Sequence, residues 1–352
     1  MRANAMENIP PVLPDGFTVP GPDTTDPAAL LEETLSGHRK FQVLATACRL
    51  GIFTQCATPR SVNELCTTLS LLPPITELFL EALVAQQLLV KDGENFRNSS
   101  YADQYLNSAS PYCLQDQVNL QIHLAGLWNT LEDALKSGPR MYNAKDWFSD
   151  LVIPAMAVNA RCGILQKTVR LVSAQPEFPS AKMLLDIGGG HGFYTIAFCQ
   201  QNPSLNGVIF DLPGVLPATR RYIDQYKADR VSCVPGNFFT DPLGEGFDIV
   251  FSSSNPGGKA PSLIPKIHDA LKPGGLFINK QGNDTVMTDP LQDLEWNLWT
   301  VEGMQKSPRQ YSFSYSLSFS DYNKRLSEEG FTVREVIPLT DQATMTIARK
   351  ND

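Results

Sequence analysis

The run Leu184-Leu-Asp-Ile-Gly-Gly-Gly-His-Gly-Phe-Tyr194 holds the densest set of chemistry-bearing residues in the chain. A β-rich stretch enters a glycine loop, and a helix is expected to open near Phe193. Glycines 188, 190 and 192 would let a ligand approach backbone amides. A dinucleotide fingerprint needs a small residue at its third position so that helix and sheet pack closely, and Phe193 stands there instead. Asp186, just before the first glycine, can organise the loop and face a cation, whereas a pyrophosphate would meet like charge. A sulfonium amino acid therefore suits this loop better than a dinucleotide. The bland alternative is a tight structural turn.

Further segments fall where a ligand on that loop would extend. Asp211, in Phe210-Asp-Leu-Pro213, lies at the distance at which a carboxylate meets a ribose diol across the switch point of an α/β sheet. In Pro235-Gly-Asn-Phe-Phe239, Asn237 can bond an adenine edge and Phe238 can stack on the ring. For acid–base work the candidates are His123, on a bridging helix, and Glu302, provided burial beside tryptophans raises its pKa. Each also has a plain reading, as a hydrogen-bonded structural histidine and a solvated carboxylate. His191 inside the loop reads as a spectator, and His268 lies too far along a later helix. Trp128, Met141 and Met156 could line a pocket between domains. Trp296, Trp299 and Met304, expected on one helix after the fifth strand, read as pocket or as core. Seven cysteines without a CxxC pair give neither a metal site nor a disulfide framework, and point to a reducing cytoplasm.

These residues need two domains to hold them, which 352 residues allow. Residues 1–27 read as a flexible arm. From 28 to 108 come helices, with a stop at Gly51 and a capping box at Ser61-Val-Asn-Glu64, then a hairpin turning at Asp92-Gly93: a winged-helix outline. Residues 109–180 hold two longer bridging helices, 114–137 and 153–173. From 181 to 352, strands at 183–187, 208–211, 231–234, 248–252 and 275–280 alternate with helical patterns, which means a parallel sheet. The runs 332–339 and 343–348 are joined too tightly for a parallel crossover and should close the sheet as an antiparallel hairpin. Between them and the fifth strand, Tyr311 to Ser320 alternates apolar residues with serine, an extended piece with one apolar face.

Taken in order, Asp186-Ile-Gly-Gly-Gly-His-Gly192, Phe210-Asp-Leu-Pro213, Gly236-Asn-Phe-Phe239 and Ala270-Leu-Lys-Pro-Gly-Gly275, behind a winged-helix outline, resemble the small-molecule O-methyltransferases over residues 28 to 350. The resemblance implies an N-terminal α-helical winged-helix dimerisation domain and a C-terminal Rossmann-like class I methyltransferase domain with a mostly parallel sheet. It implies S-adenosylmethionine as cofactor, held by Asp186, Gly188, Gly190, Asp211, Leu212, Asn237, Phe238 and Ser252. A homodimer through the N-terminal domain and an acceptor pocket lined by Trp128, Met156, Trp296 and Trp299 are also implied. The family usually carries a Leu-His-Asp-Trp-type segment after its fourth strand, whose histidine deprotonates the acceptor hydroxyl. This chain reads Phe251-Ser-Ser-Ser-Asn-Pro-Gly-Gly-Lys259 there, several residues shorter and without histidine.

Methyl transfer to a small acceptor, most simply to oxygen, is the function this resemblance implies. A non-methylating enzyme on the same scaffold (a pericyclase, decarboxylase or hydroxylase) or a catalytically silent homologue would also fit the missing histidine. A DNA-binding regulator would need basic residues on its recognition helix, but 74–87 carries Glu77 and Glu81 and no base. The net charge of -8 likewise disfavours nucleic acid, and no apolar run reaches the ~18 residues of a membrane helix.

Overall fold

The structure is a computed structural model that describes residues 27–284, 289–308 and 312–352. The expected N-terminal arm, apart from Pro27, lies outside the described residues. The first lobe holds α1 (Pro27–Leu50), α2 (Ile52–Gln55), β1 (Arg60–Ser61), α3 (Val62–Leu69), α4 (Pro73–Ala85), β2 (Leu89–Asp92), β3 (Asn95–Asn98) and α5 (Ser100–Tyr105). Gly51 takes φ +70 and separates α1 from α2. The capping box closes from both sides: Ser61 Oγ accepts from Glu64 N, and Ser61 N donates to Glu64 Oε2 at 2.8 Å. β2 and β3 form the expected hairpin and β1 joins its other edge, in order β1-β3-β2. Phe53, Leu65, Leu80, Leu83 and Phe96 are buried together beneath this wing.

The bridging region is more broken than its periodicity suggests. It holds α6 (Gln115–Trp128), α7 (Leu131–Ser137), β4 (Arg140–Tyr142), a π-helical segment Lys145–Val152, α8 (Ile153–Arg161) and α9 (Ile164–Ser173). Each long helix expected there is two. Gly163, at φ +126, interrupts the second, a backbone setting that no continuing helix can adopt. The π-helical segment runs on into α8, and the sharp bend, 69°, comes after Arg161; π-helical turns concentrate at functional sites.

The second lobe follows with β5 (Met183–Ile187), α10 (Phe193–Gln201), β6 (Asn206–Asp211), α11 (Leu216–Gln225), β7 (Val231–Pro235), β8 (Phe247–Ser253), α12 (Ile264–Ala270), β9 (Leu271–Gly282), α13 (Pro290–Asn297), β10 (Trp299–Val301), α14 (Phe319–Glu328), β11 (Phe331–Thr340) and β12 (Ala343–Lys350). The sheet order is β11-β12-β9-β8-β5-β6-β7. From β9 to β7 the strands are parallel, and β12 and β11 close the edge as the antiparallel hairpin. Both faces are covered. Leu184, Phe251 and Ile278 enter one core while their neighbours Leu185, Val250 and Phe277 enter the other, the period-two alternation of a doubly buried sheet. Chain order reverses between β5 and β8, so the carboxyl ends of these two strands form the switch point where such sheets bind ligands.

One assignment of the sequence fails here. Trp299 does not continue the helix of Trp296; it opens β10, which pairs in parallel with β4, Trp299 opposite Arg140. Met304 follows in the turn after β10. Among the described residues no single helix is long and apolar enough to cross a membrane.

Candidate functional site

The glycine loop sits at the switch point in the conformation its composition requires. Gly188 and Gly190 lie at φ +64 and +53, and a Cβ on Gly188 would come 2.9 Å from Asn255 Cβ. Gly190 N donates to Asp211 Oδ2 at 2.9 Å, and Leu212 N donates to Oδ1 at 2.7 Å, so two backbone amides aim this carboxylate. Each oxygen keeps a lone pair for another donor. Asp186 is buried below the loop, where Thr195 Oγ1 donates to its Oδ2 at 2.6 Å while Oδ1 has no hydrogen-bond partner. Among the described residues neither carboxylate forms an ion pair. Burial raises Asp186 to about 7, with the nearby Asp211 adding to the rise, and burial raises Asp211 to about 6. Two carboxylates held this way, with one oxygen unbonded, suit a cationic ligand.

His191 is buried and neutral, its Nδ1 accepting from Phe193 N at 3.0 Å, and burial drives its pKa down to about 3. This is a cap on the first turn of α10. At the end of β7, Asn237 Oδ1 accepts from Phe239 N at 3.0 Å. That bond fixes the amide so that Nδ2 remains the donor available to a ligand edge. Phe238 departs from the stacking expected of it: the ring is buried in the core with Leu243 and Leu263, against Phe239.

The segment after β8 is tied down by amides. Ser252 Oγ accepts from Asn255 Nδ2 at 2.9 Å, and the same nitrogen donates to Ile187 O. Gln281 Nε2 donates to Asn279 Oδ1 at 3.0 Å, and Asn279 Nδ2 donates to Gly258 O. This network holds residues 254–258 over the end of β5, with Asn255 lying on Gly188.

Lys280, which no sequence motif marks, lies beside this loop. It is buried on β9 opposite Ser253, and its Nζ donates to Ser253 Oγ at 3.2 Å and to Ser254 Oγ at 3.0 Å. Burial pushes it down to about 8, and among the described residues no carboxylate opposes the fall. Its sequence signal is a lysine that ends the expected strand behind the apolar run Leu276-Phe-Ile278.

A second cluster lies between the lobes. His123 Nε2 is 2.8 Å from Tyr142 Oη, and both rings pack near Trp147, which lies 4.1 Å from Trp299 between ring centroids. Burial, aided by Arg140, lowers His123. Trp296 and Trp299 are core residues here, and Trp128 Nε1 donates to Glu295 Oε2 at 2.8 Å. Met156 packs near Ile153 and Val215. Lys306 sits over both Trp296 and Trp299 and donates to their carbonyls, and burial pushes it down to about 7. Two expectations fail. Met141 is exposed on β4, and Glu302 is exposed on the turn after β10 rather than buried beside the tryptophans.

Comparison with known proteins agrees with this architecture. Residues 157–315 match the O-methyltransferase domain and residues 32–108 the O-methyltransferase dimerisation domain. An uncharacterized protein of Methanocaldococcus jannaschii is 33% identical, covering 89% of this chain and 86% of its own length. The N,N-dimethyltransferase OxyT of Streptomyces rimosus is 28% identical over 90% of this chain and 94% of its own. Human N-acetylserotonin methyltransferase, solved with S-adenosylmethionine, superposes with a TM-score of 0.70 at 21% identity, covering 94% and 99% of the two chains. The chain belongs to the S-adenosylmethionine-dependent O-methyltransferase family.

Proposed function

We propose that this protein transfers a methyl group from S-adenosylmethionine to a small-molecule acceptor, with oxygen the simplest target, and works as a homodimer through its N-terminal lobe. The observation that carries the reading is the pair of buried, unpaired carboxylates Asp186 and Asp211 around a left-handed glycine loop at the switch point. In this reading Gly188 and Gly190 let the ligand approach the loop, Asp211 takes the ribose hydroxyls, and Leu212 lines the same edge. Asn237 Nδ2 donates to the adenine ring, Phe238 supports that edge from the core, and Ser252 fixes Asn255 above the loop. Asp186 supplies charge opposite a cation.

The cofactor, when bound, supplies an electrophilic methyl group. The chain's own part is to hold the donor and exclude water, and proximity of this kind contributes several kcal/mol. His123, bonded to Tyr142 in the aromatic cluster between the lobes, helps position an aromatic acceptor in this reading. Pocket roles for Trp128, Trp296 and Trp299 rest on their place around that cluster, and that of Met156 on its place beside Ile153, which lies against Gly190. Because OxyT is an N,N-dimethyltransferase, a nitrogen acceptor is a second form of the same reading. Seven free cysteines accord with a reducing compartment.

Titration calorimetry with S-adenosylmethionine and S-adenosylhomocysteine on the native protein and on Asp211→Ala tests it. Expected is binding of both ligands, weakened at least tenfold in the variant. Absence of binding to either ligand by the folded native protein overturns the reading.

A further inference from the structure

We propose that Lys280 is the proton acceptor for the methylated atom, standing where the chain lacks a histidine in segment 251–259; the proposal rests on the cofactor reading above. Four observations place it there. Lys280 ends the central part of β9, paired with Ser253 at the carboxyl end of β8, one strand from the switch point. Its Nζ is held by two serine hydroxyls, and Ser254 is exposed, giving the amine a bonded route to water. Asn255, next along the same loop, lies on Gly188. Finally, among the described residues no carboxylate pairs with the amine, and its partners are hydroxyls rather than the backbone carbonyls that hold Lys306.

The charged and titratable groups around it are few. The glycine loop contributes His191, which is neutral and feels the lysine's charge, and α10 contributes Tyr194, whose ring lies 5.6 Å below Nζ. Arg161 of α8 reaches His191 as well. β12 places uncharged Met345 opposite. A cation brought to the loop therefore meets a lysine already disposed to be neutral, and its field disfavours the ammonium further.

That favours the free amine at Nζ when donor and acceptor are both present. As the acceptor's lone pair forms the new bond to carbon, sulfur keeps the electron pair of the bond that breaks, and the acceptor's O–H, N–H or S–H proton passes to Nζ. With the positive charge of the donor consumed, the amine becomes the stronger base and retains the proton until Ser254 passes it to water. An amine near neutrality matches phenols and thiols, whose pKa values of roughly 8 to 10 lie close above it.

The test is the titration of Lys280 itself. The full-length protein is labelled with lysine carrying carbon-13 at Cε, and the Lys280 resonance is assigned from Lys280→Met, or from Lys280→Arg if the first variant does not fold. Its midpoint is followed by NMR in the free protein, with S-adenosylhomocysteine and with S-adenosylmethionine, which differ by one positive charge. Expected is a midpoint below that of the surface lysines, falling by about one further pH unit with S-adenosylmethionine relative to S-adenosylhomocysteine. Equal midpoints with the two ligands, both shown bound by calorimetry, overturn this proposal alone. Binding of neither ligand overturns the cofactor reading and this proposal with it.

Discussion

Asp186 and Asp211 differ from ordinary carboxylates because they are buried without a cation. With native-state values raised to about 7 and about 6, the folded protein holds more protons than the unfolded chain between roughly pH 4 and pH 7. The stability of the ligand-free protein should therefore fall as pH rises through that window. A bound cation lowers both values, so cofactor binding should release protons, most strongly near pH 6.5. Calorimetry at pH 6.5 in buffers of different ionisation enthalpy should show a slope of about half a proton or more released, shrinking by pH 8.5; a flat response would remove the two acids from the site. These two aspartates were legible in the sequence because the motif places them beside glycines within one strand–turn–helix unit. Lys280 and Lys306 were not. Each gains its character from burial that only the folded chain supplies: Lys280 against Ser253 and Ser254 on another strand and its loop, Lys306 over two tryptophan faces brought together by the turn after β10. A charge count cannot distinguish them from solvated lysines.

Among the elements, strand period and turn chemistry made the sheet readable, down to the antiparallel closure by β11 and β12. What failed was continuity: two helices became four, and Trp299 left its helix for β10, because pairing with β4 satisfies the backbone of both short strands at once. The loop over Gly188 was equally hidden, since its amide network joins β5, β8 and β9. Gly188→Ala tests that packing. The left-handed backbone costs about 1–2 kcal/mol for alanine, and Asn255 adds a clash. Urea denaturation should show a loss of about 2 kcal/mol or more, and a smaller loss when the same change is made beside Asn255→Gly, which removes the Cβ it meets. Equal losses in the two backgrounds would mean that the two residues do not press on each other. Lys306 pins the turn after β10 in the same manner. Its native value of about 7 lies below that of the unfolded chain, which therefore binds more protons between about pH 7 and pH 10.5. The native protein should gain stability across that range relative to Lys306→Met, and parallel melting curves at pH 7 and pH 10 for the two proteins would exclude a buried amine.

At the scale of the molecule, the two lobes meet through α6, α8 and the π-helical segment, and the aromatic cluster around Trp147 joins α6 and the π-helical segment to α13 and β10. Large apolar side chains left exposed gather elsewhere. Leu30, Leu31 and Leu35 on α1, and Leu72, Ile75 and Leu78 at the start of α4, are each between 45% and 74% exposed. Both sets belong to the segment that matches the dimerisation domain, and a surface of this kind is where a partner copy would be buried. Covering a leucine or isoleucine fully contributes about 1.5–3 kcal/mol, whereas placing a carboxylate at the centre of such a contact costs more because it loses water without gaining a partner. Ile75→Glu with Leu78→Glu should therefore shift the protein from dimer to monomer in sedimentation velocity, by at least a hundredfold in dissociation constant. The C-terminal sheet lies in a separate core, so its melting transition in the monomer should persist. A variant that remains dimeric at micromolar concentration would move the interface away from α4, leaving these residues to another surface.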